Sequence, residues 1–437
     1  MIGSEKLNEL RRKSTTTVFR FIFLYFILTI APWYWFYKVP GISWLLDPYS
    51  SLESGMVVFF NTHLLQLRPE LNMNGGGSGD TSYSWALFSL ILVLAATGAI
   101  AWSIIHRDRK DGYPLLGYLL RNIVRYQLAI AAFVYGIDKL FMLQMPFPDL
   151  NMMSTTVGDL LPMRLSWLFV GYSPTYQFCS GLAEVMAGSL LFFRRTVPLG
   201  VLLSFGVFSH VFLLNISYDI PVKLYSMQLM ICSMYLLALD WRRYAQFFFS
   251  DAANQLTTLY DYKSDSKLLH ITRWGWKGAF VLLFVVGGMV DSFNLYKSDS
   301  SQTLQPWPGC GLYSITHQIQ NGDTLTTNPS DPMAWKDLVF DPSGTGSILT
   351  SDTLFRQRYG RGYFSFEVDS IRQKIVFRKS PADSVSLFEM NYRRPGPETL
   401  VLYGTIRNRE VTLQIHRSAQ SFQLCERQFH WISESNR

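Results

Sequence analysis

The chain has 437 residues, of which 49% are hydrophobic, 15% aromatic and only 16% charged. Soluble domains usually carry about 25% charged residues, so this composition excludes an ordinary soluble protein. The formal net charge of +7 would suit nucleic-acid binding, but no basic run is interleaved with aromatic residues that could stack on bases. We therefore expect a protein whose main partner is the lipid bilayer, with no nucleic acid bound.

Seven apolar segments in the first 295 residues are long enough, or nearly so, to cross a hydrocarbon core of about 30 Å as helices. The loop with Arg107, Arg109 and Lys110, the turn at Arg194 and Arg195, and the segment before the last span are basic, as is the N-terminus. The positive-inside rule then places the N-terminus in the cytoplasm and, after seven crossings, the C-terminus outside. The predicted spans are residues 19–37, 85–105, 123–143, 176–193, 197–214, 222–239 and 274–293.

The chain order suggests four parts. Residues 1–112 form an N-terminal membrane segment with two spans and an external loop, and residues 113–245 form the main helical core. Residues 246–300 form a cytoplasmic connector with the last span, and residues 301–437 form an external β domain. The glycines at 75–79 lack the strand and helix that flank a phosphate-binding loop, so we interpret them as a flexible linker.

Ionisable side chains lie well inside the third, fourth and fifth predicted spans. Glu184 lies about 12–14 Å from either end of its helix, too deep for its carboxylate to reach water. His210 on the next span is the leading candidate partner, since the helical hairpin brings the two residues within about 5 Å in depth. Neighbours on a helix diverge by about 100°, so Asp138 or Lys139 must point into the bundle.

Two further features leave alternatives open. Arg125 either extends to the cytoplasmic headgroups or faces a ligand inside the bundle. The short external connection before the sixth span is unusually polar, which predicts a polar mouth that leads toward His210 or, alternatively, a set of interfacial caps and salt bridges. The members of this predicted mouth are Asp138, Lys139, Tyr218, Asp219, Lys223 and Gln228.

The composition becomes polar and alternating after the last span. Short segments rich in β-branched and aromatic residues occur at 362–368, 374–377, 400–403 and 410–415, with turn residues between them. We predict a small antiparallel β-sandwich or half-barrel over residues 305–437, with a final strand over 424–431. The histidines have no metal-ligand spacing, so no metal is expected. Cys310 and Cys425 could pair in an oxidising compartment, and the sequence leaves that disulfide open.

One helix carries Arg125, Gly136 and Lys139, and the next carries Glu184 in the glycine-rich run 181–188, followed by the basic turn at 194 and 195. In this order of residues, the segment 115–245 resembles the DoxX-like family of membrane proteins. The resemblance implies a four-helix core, a bacterial inner-membrane location and a link to redox chemistry, since founding members are the small subunit of a thiosulfate:quinone oxidoreductase. The chain lacks a Cys-x-x-Cys motif, so direct dithiol exchange by the chain itself is not expected.

Three functions remain open from the sequence. In the first, a quinone or similar lipophilic molecule binds among the third to sixth spans, where Arg125 and the predicted mouth contact it. Glu184 and His210 then handle protons, and either Arg125 or Lys139 stabilises a developing oxyanion. The chain would then be an oxidoreductase or its membrane subunit, with electrons supplied by a redox partner. In the second, the bundle anchors a β domain that recruits an envelope partner. The third is a proton-coupled transporter, although no internal repeat supports it.

Overall fold

The computed structural model describes residues 4–39, 41–106, 113–249, 267–302, 306–325, 334–426 and 431–432. The chain divides into two compact units, which we call the helical unit, Met1–Gln144 with Phe178–Ser292, and the barrel unit, Met145–Gln177 with Phe293–Arg437. Four basic residues on which the predicted orientation partly rests, Arg107, Arg109, Lys110 and Lys263, lie outside the described residues.

Each segment predicted to span the membrane is helical over most of its length. A π-helical stretch, Val281–Val286, joins the helix that ends at Phe280 to the helix that begins at Gly287. The α-helices of the described residues are α1 Ser4–Ile30, α2 Ser43–Phe60, α3 Ser82–Ile105, α4 Pro114–Leu140, α5 Leu150–Met153, α6 Pro162–Tyr172, α7 Pro174–Phe192, α8 Val197–Ser217, α9 Lys223–Leu239, α10 Trp241–Phe249, α11 Lys267–Phe280, α12 Gly287–Gln302 and α13 Gln423–Glu426.

Four stretches of the described chain are long and apolar enough to cross a membrane by length and composition: Thr16–Lys38, Ser82–Ile105, Val197–Ser217 and Trp274–Ser298. The helix α9 is a shorter apolar helix. The total of seven crossings therefore stays a prediction. The helix α4 lies within the core of the helical unit, since its buried side chains run from Leu120 to Lys139 and it packs against α1, α9 and the π-helical stretch.

The barrel unit contains a closed antiparallel β-barrel. Its strands are β1 Gly311–Gln320, β2 Asp323–Leu325, β3 Trp335–Phe340, β4 Thr345–Thr350, β5 Arg361–Asp369, β6 Lys374–Arg378, β7 Ser386–Arg393, β8 Thr399–Ile406 and β9 Arg409–Arg417. Strand β1 pairs with β3, each following strand pairs with the next, and β9 returns to β1, so eight strands close the sheet while β2 extends β1 as a short hairpin.

The structure confirms the predicted antiparallel β domain and the four strand segments assigned from alternation, with two differences. The sheet closes on itself instead of forming a sandwich or half-barrel. The predicted last strand is wrong over 424–426, which belong to α13, while 427–430 lie outside the described residues. Because β9 already pairs with β1, the barrel has no free edge that a further strand could join. Cys310 and Cys425 are free thiols, so the disulfide on which the sequence left both outcomes open is not formed.

The segment between α4 and α7 packs on the outside of the barrel. Arg361 on β5 points outward, yet its side chain is only 1% exposed and binds both carboxylate oxygens of Asp337 at 2.5 and 3.1 Å. Its Nε donates to Ser347 Oγ, which donates to Asn151 Oδ1 of α5, both at 2.7 Å. The domain boundaries predicted from the sequence assigned residues 145–177 to the main helical core, whereas the structure places them in the barrel unit.

Replacing Asp149 with asparagine should change the pH dependence of barrel stability. Asp149 caps α5 by accepting from the Met152 amide at 2.7 Å. Burial, and to a lesser degree the Asp341 carboxylate, raise the pKa of Asp149 above 3.8. Because the pKa of Asp149 is raised in the folded chain, its protonated carboxyl group contributes to the free energy of unfolding. This contribution is complete when the pH is below the pKa of the unfolded chain, and it is lost as the pH rises through the pKa of the folded chain.

Asparagine caps a helix as well as aspartate but carries no charge. We therefore expect D149N to be more stable than the wild type at neutral pH, with the advantage shrinking toward pH 4. Thermal unfolding of the full chain, followed by β-sheet circular dichroism from pH 4 to pH 8, would measure the difference. An advantage of the same size at every pH would contradict this expectation.

Candidate functional site

A buried ion pair joins α4 to α7. Lys139 Nζ lies 2.5 Å from Glu184 Oε1, and the two residues are 6% and 3% exposed. The other carboxylate oxygen, Oε2, has no hydrogen-bond partner among the described residues. The sequence prediction that Glu184 is buried and partnered is therefore confirmed, but the partner is Lys139. His210 is exposed on α8, so its predicted pairing with Glu184 is wrong.

Two glycines allow the helices to approach closely enough for this pair to form. A Cβ atom added at Gly136 would lie 2.8 Å from Val185 Cγ2 and 2.9 Å from the Gly181 carbonyl oxygen. A Cβ at Gly181 would lie 2.7 Å from both the Gly136 carbonyl oxygen and Lys139 Cβ. Small residues at such positions let helix backbones come together, and here the contact lies one turn from Lys139 and one turn from Glu184.

Asp138 and Lys139 diverge as expected for helical neighbours. Lys139 faces α7, whereas Asp138 Oδ1 accepts a hydrogen bond from Ser292 Oγ of α12 at 2.9 Å. Asp138 therefore joins a different helix contact and does not belong to the ion pair.

A row of polar and aromatic groups runs along α4 toward the ion pair. Trp35 Nε1 donates to Gln127 Oε1 at 2.9 Å, and Gln127 Nε2 lies 3.5 Å from the Tyr225 hydroxyl. The Tyr225 and Tyr135 rings are 6.2 Å apart, and Lys139 Nζ lies 6.0 Å from the Tyr135 ring centroid. We call Gln127, Tyr225, Tyr135, Lys139 and Glu184 the α4 polar row.

The start of this row borders an apolar cavity of about 550 Å³. Trp35 and Trp276 stack at its wall with their centroids 6.1 Å apart, and Phe36, Phe280, Leu283 and Phe284 add to the lining. We call this cavity the Trp pocket. Leu283 and Phe284 belong to the π-helical stretch, a helix irregularity that occurs frequently at functional sites.

Arg125 is buried but lies far from the ion pair. Its side chain is 2% exposed, and its guanidinium carbon is 4.8 Å from the centroid of the Tyr126 ring. Arg125 precedes Lys139 by 14 residues on α4, which corresponds to about 21 Å along the helix axis. The structure therefore does not bring Arg125 and Lys139 to one small ligand.

The predicted polar mouth is mainly a helix cap. Asp80 accepts from the backbone amides of Lys223 and Leu224 at 2.8 and 2.9 Å, which satisfies the start of α9. The Lys223 ammonium lies 2.7 Å from the exposed Asp219 carboxylate. Tyr218 and Gln228 are partly buried nearby. The alternative of interfacial caps and salt bridges is thus the better description of this region. The glycine segment predicted as a flexible linker is followed by Asp80, which its hydrogen bonds hold at the start of α9.

Sequence reasoning did not connect the aromatic members of this site. Tyr135 lies four residues before Lys139, a spacing that places two side chains on one helix face and that could have indicated the row. Nothing local in the sequence indicates that Tyr225 or Trp276 joins them. The arrangement offers a lipophilic pocket together with a buried carboxylate that retains one free acceptor oxygen. No group of three or more histidine, cysteine, aspartate or glutamate side chains that could hold a metal occurs in the described part of the chain.

Fold and site define a protein with apolar, membrane-length helices joined to a closed antiparallel barrel. Among curated proteins, the chain is similar to the uncharacterized protein YwoB of Bacillus subtilis strain 168, with 29% identity over 133 residues. The similarity covers 28% of this chain and 79% of that protein. No protein-family model and no solved structure matches the chain.

Proposed function

We propose that the chain is a DoxX-like protein of the bacterial inner membrane that binds a quinone or a similar lipophilic molecule and moves protons through Glu184. The observation that carries this proposal is the buried Lys139–Glu184 pair, in which Oε2 has no hydrogen-bond partner among the described residues. A buried acceptor without a partner is unfavourable for folding alone, so it favours a role in proton transfer.

The Trp pocket supports the choice of ligand. Its volume of about 550 Å³ falls within the range of about 300–1,000 Å³ of small-molecule sites. Stacked indoles provide flat apolar faces for a ring, and Gln127 beside Trp35 provides an amide that can hydrogen-bond a carbonyl oxygen. Tyr225 and Tyr135 then connect this end of α4 with Lys139 and Glu184.

Reduction of a quinone to a quinol takes up two electrons and two protons. The chain contains no flavin, haem or iron–sulfur fingerprint, so the electrons would come from a partner protein or a soluble reductant. The contribution of this chain is to hold the ring in the Trp pocket and to hold or release a proton at Glu184 Oε2. Gln127 at the pocket precedes Lys139 by 12 residues, about 18 Å along α4, and Tyr225 and Tyr135 lie between them. In the proposed topology the N-terminus is cytoplasmic and the barrel is periplasmic.

Organic extraction of the purified full chain tests ligand binding. We expect wild type, E184Q and the control W85L to carry a quinone in amounts comparable to the protein, whereas W276L loses it. Trp85 is a matched control because it is an exposed aromatic residue of α3 that does not line the Trp pocket.

Chemical reduction of the bound quinone, followed with a pH-sensitive dye, tests proton transfer. We expect E184Q to slow proton uptake by about tenfold or more, because an amide at position 184 neither takes up nor releases a proton near neutral pH. Extraction that yields no quinone from any variant would contradict the proposal. In that case, capture of an envelope protein by the barrel would support the anchor alternative.

A further inference from the structure

The two ends of the β-barrel differ in how they are filled. At one end the Trp307 ring lies 5.3 Å from the Phe340 ring and 5.4 Å from the Tyr392 ring, so the indole closes the barrel there. The opposite end, where β3, β5, β7 and β9 begin, retains a cavity of about 290 Å³. We call this the open-end cavity.

Three aromatic rings form the floor and wall of the open-end cavity. Trp335 and Phe355 are stacked with centroids 6.3 Å apart, and Phe388 lies 6.1 Å from Trp335 and 6.3 Å from Phe355. The volume of about 290 Å³ lies at the lower end of the range of about 300–1,000 Å³ of small-molecule sites, so it suits a small ligand. The cavity therefore fits one aromatic ring with a short substituent.

Polar side chains occupy inward-facing positions at the rim of the cavity. Val411, Leu413 and Ile415 are the buried, inward-facing residues of β9, and Arg409 continues that alternate row at the open end. Gln318 and Gln320 of β1 also line the cavity. Arg409 therefore lines the same cavity as the three aromatic rings and provides a positive charge next to an apolar slot.

Arg407 adds a second guanidinium at the rim. It occupies a two-residue turn with Asn408 between β8 and β9, and both residues have positive φ, at 50° and 62°. Asparagine or glycine adopts this conformation with less strain than arginine does. Arg407 Nη1 lies 2.9 Å from Asp352 Oδ2. Among the described residues that line the cavity, Asp352 carries one carboxylate and Arg407 and Arg409 two guanidinium groups, so positive charge is in excess there.

We propose that the open-end cavity binds a small aromatic carboxylate. The ring lies between Trp335, Phe355 and Phe388, and the carboxylate accepts hydrogen bonds from Arg407 and Arg409, where charge-assisted pairing is strongest. This site is independent of the proposed function, because its residues belong to the barrel unit and those of the ion pair to the helical unit.

Calorimetric titration of the detergent-solubilised full chain with trans-cinnamate tests the proposal. We expect saturable one-to-one binding, and binding of the uncharged cinnamyl alcohol that is at least tenfold weaker. R407N and R409Q are each expected to weaken cinnamate binding at least fivefold. R407N places a residue that favours positive φ in the turn, so its thermal midpoint should be equal to or above that of the wild type.

The control variant is R372Q, which removes an exposed arginine from the turn between β5 and β6 at the opposite end of the barrel. It should bind cinnamate as the wild type does, and so should E184Q. The proposal is overturned if no saturable binding is measured, if the alcohol binds as tightly as the acid, or if R372Q weakens binding as much as R407N does.

Discussion

Replacement of Lys139 by methionine is expected to destabilise the helical unit by about 3–5 kcal/mol. The substitution leaves the Glu184 carboxylate buried without its positive partner, and removal of one member of a buried ion pair has an effect of this size. The double variant K139M/E184M removes both charges and fills similar volume, so it should recover most of the lost stability. Unfolding of the detergent-solubilised chain, followed by the helical circular dichroism signal, would measure both changes.

The matched control is K223M. The Lys223 ammonium lies 2.7 Å from the Asp219 carboxylate and 3.6 Å from that of Asp80, but the lysine side chain is 30% exposed and that of Asp219 80% exposed. Ion pairs screened by solvent in this way contribute about 0–1 kcal/mol. We expect K223M to be within about 1 kcal/mol of the wild type. A K139M variant as stable as K223M, or a double variant no more stable than K139M, would show that the ion pair does not have the energetic role described above. Quinone-linked proton uptake should remain low in the double variant, which separates stability from function.

Alanine at Gly136 or Gly181 should separate α4 from α7. The added methyl groups would lie within 2.9 Å of backbone oxygens of the facing helix, and backbone cannot move aside as a flexible side chain can. Overpacking of this kind destabilises by about 1–3 kcal/mol, and the helix shift would also stretch the contact between Lys139 and Glu184. We therefore expect G136A and G181A to lower both the unfolding midpoint and the rate of proton uptake.

Gly206 offers a close control for these two glycines. It lies in the middle of α8, and a Cβ atom added there would meet nothing within 4 Å. Alanine is also the better helix former, so G206A should be as stable as the wild type or slightly more stable. If G206A lost as much stability as G136A, the effect would stem from glycine replacement in general and not from the α4–α7 contact.

The sequence identified the buried carboxylate but not its partner. Glu184 was recognisable because depth along a helix follows from the residue count alone. The choice between His210 and Lys139 depends on which way each helix is rotated. In the structure the close contact of Gly136 with Gly181 turns Lys139 toward α7, and the rotation of α8 leaves His210 exposed.

A similar limit applies to the β domain. Alternating hydrophobicity located strands such as β5 and β9, because the inward and outward faces of a strand differ in solvent exposure. The alternation of β5 puts Arg361 on the outward face of the barrel, yet the side chain is buried by its bonds to Asp337 and Ser347 under the segment that contains Asn151. No local signal marks a loop between two helices as the cover of a sheet more than 150 residues further along the chain.

The sequence by itself determined the positions of the apolar helices, the polar β-rich tail and the depth of Glu184, since hydropathy and periodicity are properties of one segment at a time. Only the tertiary structure decided the Lys139–Glu184 pair across 45 residues, the closure of β9 on β1 and the placement of residues 145–177 on the barrel. Each of these depends on the rotation or register of two distant segments, which side-chain packing sets and which neither segment encodes alone.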